Sequence, residues 1–167
     1  PYTTLFRSLF DGGNEFRYFD IRSLRYLSFN VRRKYIEGNV KNVMLYSDNC
    51  KMNIPYLQTI DFNGKRVVDN RDGQLKGSIE GDYCDVYFTY VSDKIDKDLY
   101  IFGELSDWEM KKEFKMEWNE NFGQYEAIVK LKQAYYNYEI VSAKPEDPSK
   151  ADLTYTEGNH YEAENDY

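Results

Sequence analysis

The single histidine of the chain, His160, lies in a Gly-Asn-His-Tyr sequence. A histidine acts as the base of a catalytic triad when a carboxylate orients it beside a nucleophile. No Gly-x-Ser-x-Gly sequence supplies a serine on a sharp strand-to-helix turn, so a surface or packing role is expected for His160. Gly12-Gly13 lacks the third glycine and the lysine of a nucleotide-binding loop. The sequence therefore predicts a protein that is not an enzyme.

Acidic side chains outnumber basic ones by 29 to 22, which gives a formal net charge of −7. Paired carboxylates could hydrolyse glycosides, and this class stays open because sequence does not report proximity. Residues 93–98 interleave acids with lysines, and residues 69–73 do not fit a calcium loop because Val68 stands at the first ligand position. Both stretches are expected to be solvated turns, and no metal or cofactor is predicted. So acidic a chain is not expected to bind nucleic acid.

Two cysteines, Cys50 and Cys84, could form a disulfide or be two buried thiols. No Cys-x-x-Cys pair or Cys/His cluster suggests a zinc site. The chain also contains a local cluster of basic residues. These residues could form ion pairs on a sheet face, or they could form a docking surface. The members of the cluster are Arg22, Arg25, Arg32, Arg33 and Lys34.

Alternation of apolar and polar residues with period two dominates the chain and predicts strands. The composition agrees, since 17 tyrosines suit half-buried pleated surfaces. The predicted strands are residues 26–32, 40–47, 56–62, 65–69, 82–91, 98–102, 114–118, 124–131 and 135–141. Asn63-Gly64 predicts a two-residue hairpin, residues 143–150 a loop, and residues 106–112 about one helical turn. Short strands at this spacing indicate an all-β fold, an antiparallel β-sandwich.

Residues 100–138 resemble the glycogen- and starch-binding module family, whose fold is an early-set immunoglobulin-like β-sandwich. The matching positions are IFGELSDW (101–108), Met116, GQYE (123–126), Leu131 and YNY (136–138). The resemblance implies that Trp108 is a platform on which sugar rings stack, with binding of glycans as the alternative function. Equally, Trp108 could pack against the end of the sandwich. Where the family has a second tryptophan, this chain has SAKP (142–145).

A longer resemblance, from about residue 10 to the last residue, is to the plug protein family of the type IX secretion system. The matching segments are GGNEFRYFDIRSLR (12–25), DFNG (61–64), LKQAYYNY (131–138) and EGNHYEAENDY (157–167). Members are multi-domain β-sandwich proteins of Bacteroidota, periplasmic and associated with the outer membrane. The resemblance implies a non-catalytic subunit that occludes the translocon barrel of the outer membrane.

The predicted domain organisation follows from these resemblances. Residues 1–8 resemble a translated sequencing adapter and are left out of the functional reasoning. Residues 9–78 are expected to be the later part of a middle β-sandwich domain. Residues 79–167 are expected to be an early-set immunoglobulin-like β-sandwich that lacks its last strand.

Residues that could dock on the translocon lie in and around the first matching segment. They are Asn14, Arg17, Tyr18, Arg22 and Arg25. Arginine and tyrosine are frequent in protein interfaces. The same stretch could instead be core and a salt-bridged sheet edge, with Asn14 and Arg17 fixing the turn into the first strand.

Overall fold

A computed structural model describes residues 15–54, 62–72, 81–145 and 147–158. These residues contain eleven β-strands, two 3₁₀ turns and no α-helix, so the all-β prediction is confirmed. The strands are β1 (Arg17–Asp20), β2 (Val31–Glu37), β3 (Val40–Leu45), β4 (Asp48–Asn49), β5 (Arg66–Val68), β6 (Tyr83–Val91), β7 (Asp98–Phe102), β8 (Lys115–Asn119), β9 (Gln124–Lys132), β10 (Ala134–Lys144) and β11 (Asp147–Asp152). The 3₁₀ turns are Glu104–Ser106 and Lys112–Phe114, which replace the single helical turn predicted over residues 106–112.

All strands join one sheet in the order β1-β10-β7-β8-β9-β6-β3-β2, with β4 beside β6 and both β5 and β11 beside β10. The expectation of a purely antiparallel sheet is wrong, because β3 and β4 both pair with β6 in parallel. Parallel neighbours require a long connection that returns the chain to the same end of the sheet. The chain between Leu45 and Tyr83 makes that return.

The eleven residues of β10 make it the longest of these strands, and it has four strand neighbours. Its first half pairs with β1 and β5, and its second half with β7 and β11. All but two of its side chains are buried. The loop predicted over residues 143–150 is wrong, because β10 continues to Lys144 and β11 follows. Pro148 is tolerated there since β11 is an edge strand.

Alternation predicted β6 and β9 correctly, and in β6 the buried residues are the expected Cys84, Val86, Phe88 and Tyr90. The Asn63-Gly64 turn is also confirmed. Both residues have positive φ, 50° and 71°, and the Lys65 N–H donates to the Phe62 carbonyl at 3.0 Å. The strand predicted over residues 56–62 lies almost wholly outside the described residues.

The strand predicted over residues 26–32 is wrong at its start. Asn30 has a φ of 61°, which interrupts the pleat, and β2 begins only at Val31. Leu27 and Phe29, which alternation would bury on one face, are exposed. Residues 22–30 are therefore a loop that leads into β2.

The sheet is barrel-like and nearly closed around its core. β1 and β6 are separated by four strands in the sheet order, yet the rings of Phe19 and Phe88 lie 5.5 Å apart, edge to face. Tyr138 of β10 lies 5.4 Å from Phe88 and 5.6 Å from Phe19. Beyond the core, the Asp20 N–H donates to the Phe29 carbonyl at 3.3 Å. This bond connects β1, at one end of the sheet order, with the loop before β2, at the other end.

The predicted domain division between residues 78 and 79 stays a prediction. Strands from the two sides of that point are hydrogen-bonded to one another, because β6 pairs with β3 and β10 pairs with β1 and β5. The two segments therefore share one sheet and one core.

Replacing Phe88 with Ala should lower the free energy of unfolding by about 3–5 kcal/mol, because it removes the ring that joins the two sides of the core. Phe122→Ala is the matched control, since this phenylalanine is 73% exposed on a turn and should change stability by about 0.5 kcal/mol or less. Urea unfolding of the two variants makes the comparison. Equal effects would mean that the core does not close at Phe88.

Candidate functional site

β1 places two of the predicted docking residues on opposite sides of the sheet. Successive side chains of a strand point to opposite faces, so Arg17 points inward while its neighbour Tyr18 points outward. β1 is held in register by β10, with Arg17 opposite Tyr138 and Tyr18 opposite Asn137. Arg17 is buried and Tyr18 is half-buried.

The guanidinium of Arg17 is the centre of a buried charge cluster. Its Nε donates to Glu157 Oε1 at 2.8 Å, and its Nη1 donates to Asp48 Oδ1 at 3.0 Å. Nη2 donates to the backbone carbonyl of Asn49 at 2.8 Å. Arg17 also lies over the ring of Tyr90, 5.9 Å from its centroid. This fork of donors holds two separate chain segments, β4 and the turn that carries Glu157, against the cation of β1.

Lys51 completes the cluster, which then holds two cations and two anions. The Lys51 ammonium lies 3.6 Å from Glu157 Oε2 and donates to the backbone carbonyl of Glu15 at 2.6 Å. Glu157 Oε1 also accepts the backbone N–H of Ile140 at 3.0 Å. The opposite charges balance, as burial of ions requires.

The titration behaviour of the cluster follows from its burial and its charges. Burial works against the charge on Arg17, but Glu157 and Asp48 outweigh it and raise the pKa of the guanidinium. Burial raises the pKa of Asp48, against the opposing effects of Arg17 and a hydrogen bond of 2.6 Å from Tyr138. Burial and the charge of Asp48 raise the pKa of the Tyr138 hydroxyl well above its usual value. Arg17 and Tyr138 therefore keep their protons and serve the structure.

Replacing Arg17 with Met should destabilise the protein by about 3–5 kcal/mol, because Asp48 and Glu157 would remain buried without their cation. Arg66→Met is the matched control. The Arg66 pair with Glu104 is a partly exposed contact of 3.8 Å, and its loss should cost about 1 kcal/mol or less. Thermal or urea unfolding measures both. A loss of similar size in the two variants would contradict a structural role for the buried cluster.

The outer side of β1 carries an aromatic and ionic group next to β10. The rings of Tyr18 and Tyr135 stack at 5.9 Å, and Phe62 meets Tyr135 edge to face at 5.2 Å. The Arg22 guanidinium lies 5.5 Å from the centroid of the Tyr135 ring. Arg22 also binds Asp20 through two donors, Nε at 3.0 Å and Nη2 at 2.7 Å. Arg22 therefore forms an ion pair just after the end of β1.

Asp20 should make stability depend on pH. Burial tends to raise the pKa of Asp20, but the hydrogen bonds and charge of Arg22 bring it below its usual value. A carboxylate with a lowered pKa stabilises the fold above about pH 4, and this contribution is lost as the pH falls through the folded-state pKa.

Replacing Arg22 with Gln should therefore lower the free energy of unfolding by about 1–2 kcal/mol at neutral pH. This loss should become smaller in acid, where Asp20 is protonated. Urea unfolding between about pH 7 and pH 3 measures the trend. Lys130→Gln, which breaks the exposed pair with Asp85, provides the control. A cost for Arg22→Gln that is the same at both ends of the range would show that Asp20 is not its partner.

Trp108 lies on a strained turn at the end of β7. Asp107 and Trp108 both have left-handed φ, 57° and 58°, and the Trp108 N–H donates to the Gly103 carbonyl at 2.9 Å. The indole is 44% exposed and meets the edges of Phe16, at 6.2 Å, and Phe102, at 5.6 Å. It also covers Gly64, where an added Cβ would lie only 2.2 Å from the ring. The indole is therefore packed against the Asn63-Gly64 turn and keeps part of its surface in solvent.

The remaining predicted positions do not gather into one site. Arg25 is exposed in the loop before β2 and is not one of the contacts of the Arg17 cluster. Asn14 and His160 lie outside the described residues. Cys50 and Cys84 are free thiols, so the disulfide alternative is wrong. The predicted pair of buried thiols holds only for Cys84, because Cys50 is half-buried. Burial raises the pKa of the Cys84 thiol to about 12.

Sequence reasoning missed the partners of Arg17. Asp48 and Lys51 follow β3 and Glu157 lies near the end of the described chain, so no local spacing connects them to β1. Among the described residues, no group of three or more metal-ligating side chains could hold an ion, and no helix is long and apolar enough to cross a membrane.

A crystal structure at 2.30 Å resolution of a hypothetical protein from Parabacteroides merdae ATCC 43184 is similar to this chain, with a TM-score of 0.86 and 30% sequence identity. The similarity covers 92% of this chain and 38% of that protein. No protein-family model and no curated protein matches the chain. The chain therefore spans less than half the length of the protein that it resembles in structure.

Proposed function

We propose that this chain is part of a non-catalytic plug subunit that occludes the outer-membrane translocon of the type IX secretion system. The observation that carries the proposal is the meeting of the segments that resemble the plug family. Segment 12–25 supplies β1, segment 131–138 supplies the half of β10 that pairs with it, and segment 157–167 supplies Glu157, which binds Arg17. Segments far apart in the sequence thus form one framework, as expected if the whole pattern belongs to one fold.

The Asn63-Gly64 turn, from the matching segment 61–64, belongs to the same framework. Asn137, buried in β10, accepts the Phe62 N–H at 2.6 Å and donates from its own backbone to the Lys65 carbonyl at 3.1 Å. Its side-chain amide reaches the Arg17 carbonyl at 3.4 Å. One buried amide thus joins β1, β10 and the Asn63-Gly64 turn.

A plug acts by shape, and the described residues support such a role. The sheet is nearly closed around its core, and the charges of the Arg17 cluster neutralise one another, which favours a rigid body. Arg17 and Glu157 are buried and hold β1 to the turn after β11. A rigid body is what obstruction of a wide pore requires.

The similar structure supports the setting of the proposal. It comes from a Parabacteroides species and belongs to a protein more than twice as long as the matched region, while the plug family consists of multi-domain proteins of Bacteroidota. A periplasmic location, association with the outer membrane and docking on the translocon barrel are part of the proposal through the family resemblance.

The finer fold assignment is also proposed: residues 79–167 form a β-sandwich of the early-set immunoglobulin type, to whose sheet the strands of residues 9–78 are joined. The support is the change of partner along β8, whose first residues pair with β7 and whose later residues pair with β9. Strands that pass from one sheet to another at a corner are typical of packed two-layer folds. The contact of Phe88 in β6 with Tyr138 in β10, at 5.4 Å, fits two facing layers within residues 79–167.

The experiment is affinity purification of the full-length protein that contains this chain from a bacterium with an intact type IX system. We expect the translocon barrel protein to co-purify, and an unrelated tagged periplasmic β-protein serves as the control. Deletion of the gene should increase the permeability of the outer membrane only when the translocon is present. Absence of both effects would contradict the proposed plug function.

Binding of glycans is the alternative proposal, and the exposed part of Trp108 is the observation that favours it. Sugar rings stack on aromatic faces, and both ring contacts of the indole are edge-to-face contacts. Titration with malto-oligosaccharides while Trp fluorescence is recorded tests it, with Trp118→Phe to assign the signal to Trp108. No change at millimolar ligand would remove this alternative.

A further inference from the structure

The edge of the sheet at β2 exposes an unusual combination of aromatic, aliphatic and cationic side chains. Tyr26, Phe29 and Ile36 are 74%, 71% and 69% exposed, which places them among the most exposed large apolar residues of the described chain. Arg25 directly precedes Tyr26, Arg32 and Arg33 lie between Phe29 and Ile36, and all three arginines are exposed too. We call these six residues the β2 edge patch. Tyrosine, phenylalanine and arginine are enriched where proteins bind one another.

The arginines of the patch differ from the other described arginines in their pairing. Arg17, Arg22, Arg66 and Arg71 each form an ion pair with a carboxylate. Among the described residues Arg32 and Arg33 form no ion pair with a carboxylate, although acids outnumber bases in the chain. Arg33 lies over the ring of Tyr35, 5.1 Å from its centroid, and the charge of Arg25 acts on Asp72 without forming an ion pair with it. The patch thus retains guanidinium groups that can bind carboxylates bidentately.

The loop that carries Arg25 and Tyr26 is fixed against β2. The Lys34 ammonium donates to the backbone carbonyls of Ser23 and Tyr26 at 2.6 and 2.5 Å. From the other side, Asp72 accepts the Ser23 hydroxyl at 2.6 Å and the Leu24 N–H at 2.5 Å. A surface held in place in this way loses less conformational entropy when a partner binds.

The backbone of β2 indicates what kind of molecule fits the patch. β2 ends the sheet order and has β3 as its only neighbour among the described strands. The unpaired N–H and C=O groups of an edge strand can be satisfied by the backbone of another polypeptide in extended conformation. A membrane surface or a nucleic acid offers no such ladder.

Charge then selects among polypeptides. β2 carries Arg32, Arg33 and Lys34 against a single acid, Glu37. A second copy of β2 would therefore bring a surplus of like charges to the shared edge, and like charges on neighbouring strands are unfavourable. A strand with carboxylates on one face and apolar residues on the other would match the arginines and the exposed Tyr26, Phe29 and Ile36. We propose that the β2 edge patch binds an extended acidic segment of a partner protein by strand addition. This inference goes beyond the proposed plug function and does not require the partner to be the translocon.

The test uses the full 167-residue chain and a fluorescein-labelled peptide of alternating valine and glutamate, with the valine and lysine peptide as the charge control. Fluorescence anisotropy gives the affinity of the acidic peptide for the double variant R32Q/R33Q and for the matched control R66Q/R71Q. The control removes the same amount of charge, but from two arginines that already form ion pairs. We expect R32Q/R33Q to weaken binding about tenfold or more and R66Q/R71Q to leave it nearly unchanged. Circular dichroism and thermal unfolding establish that both variants are folded.

Hydrogen exchange distinguishes strand addition from mere attraction between charges. The acidic peptide should slow exchange of backbone amides in residues 32–37, while high salt should weaken its binding. The proposal is overturned if the acidic peptide does not bind, if both double variants bind it equally, or if no β2 amide is protected. Tighter binding to phosphatidylglycerol vesicles or to single-stranded DNA than to the peptide would overturn it as well.

Discussion

The buried cation of Arg17 constrains the described structure more than any other single group. A guanidinium without solvent must find anions and acceptors, and it finds them on two segments that are remote in sequence. These segments are β4, with Asp48 and Asn49, and the turn after β11, with Glu157. The position of β1 is thereby fixed by charge as well as by its hydrogen bonds to β10, and the two constraints reinforce each other.

β10 extends this constraint across the sheet. The first half of β10 pairs with β1 and β5, and its second half pairs with β7 and β11. Because β10 is one continuous strand, its movement would disturb all four neighbours together. The rings of Phe19, Phe88 and Tyr138 close the core over the same strand. These pairings and ring contacts hold the described strands in one framework, and the exposed residues of the β2 edge patch lie outside it.

Much of the strand content could be predicted from sequence, because period-two alternation in β6 and β9 reflects one buried and one solvated face. Alternation failed at residues 26–32, where a single left-handed residue, Asn30, moves the start of β2 and leaves Phe29 in solvent. It also gave no information on the parallel pairing of β3 with β6, since strand direction is set by connections and not by pattern. For the site, the charge of Arg17 was visible, but its partners were not, because long-range ion pairs leave no local spacing in one sequence.

The close approach of Trp108 to Gly64 has an evolutionary consequence. Any side chain at position 64 would collide with the indole and would also have to adopt a φ of 71°. Relatives of this chain are therefore expected to change both positions together: a bulkier residue at the turn should appear only where the indole has been replaced. Positions 64 and 108 should therefore covary among homologous sequences. This covariation would follow from the packing contact alone, whatever the exposed part of the indole binds.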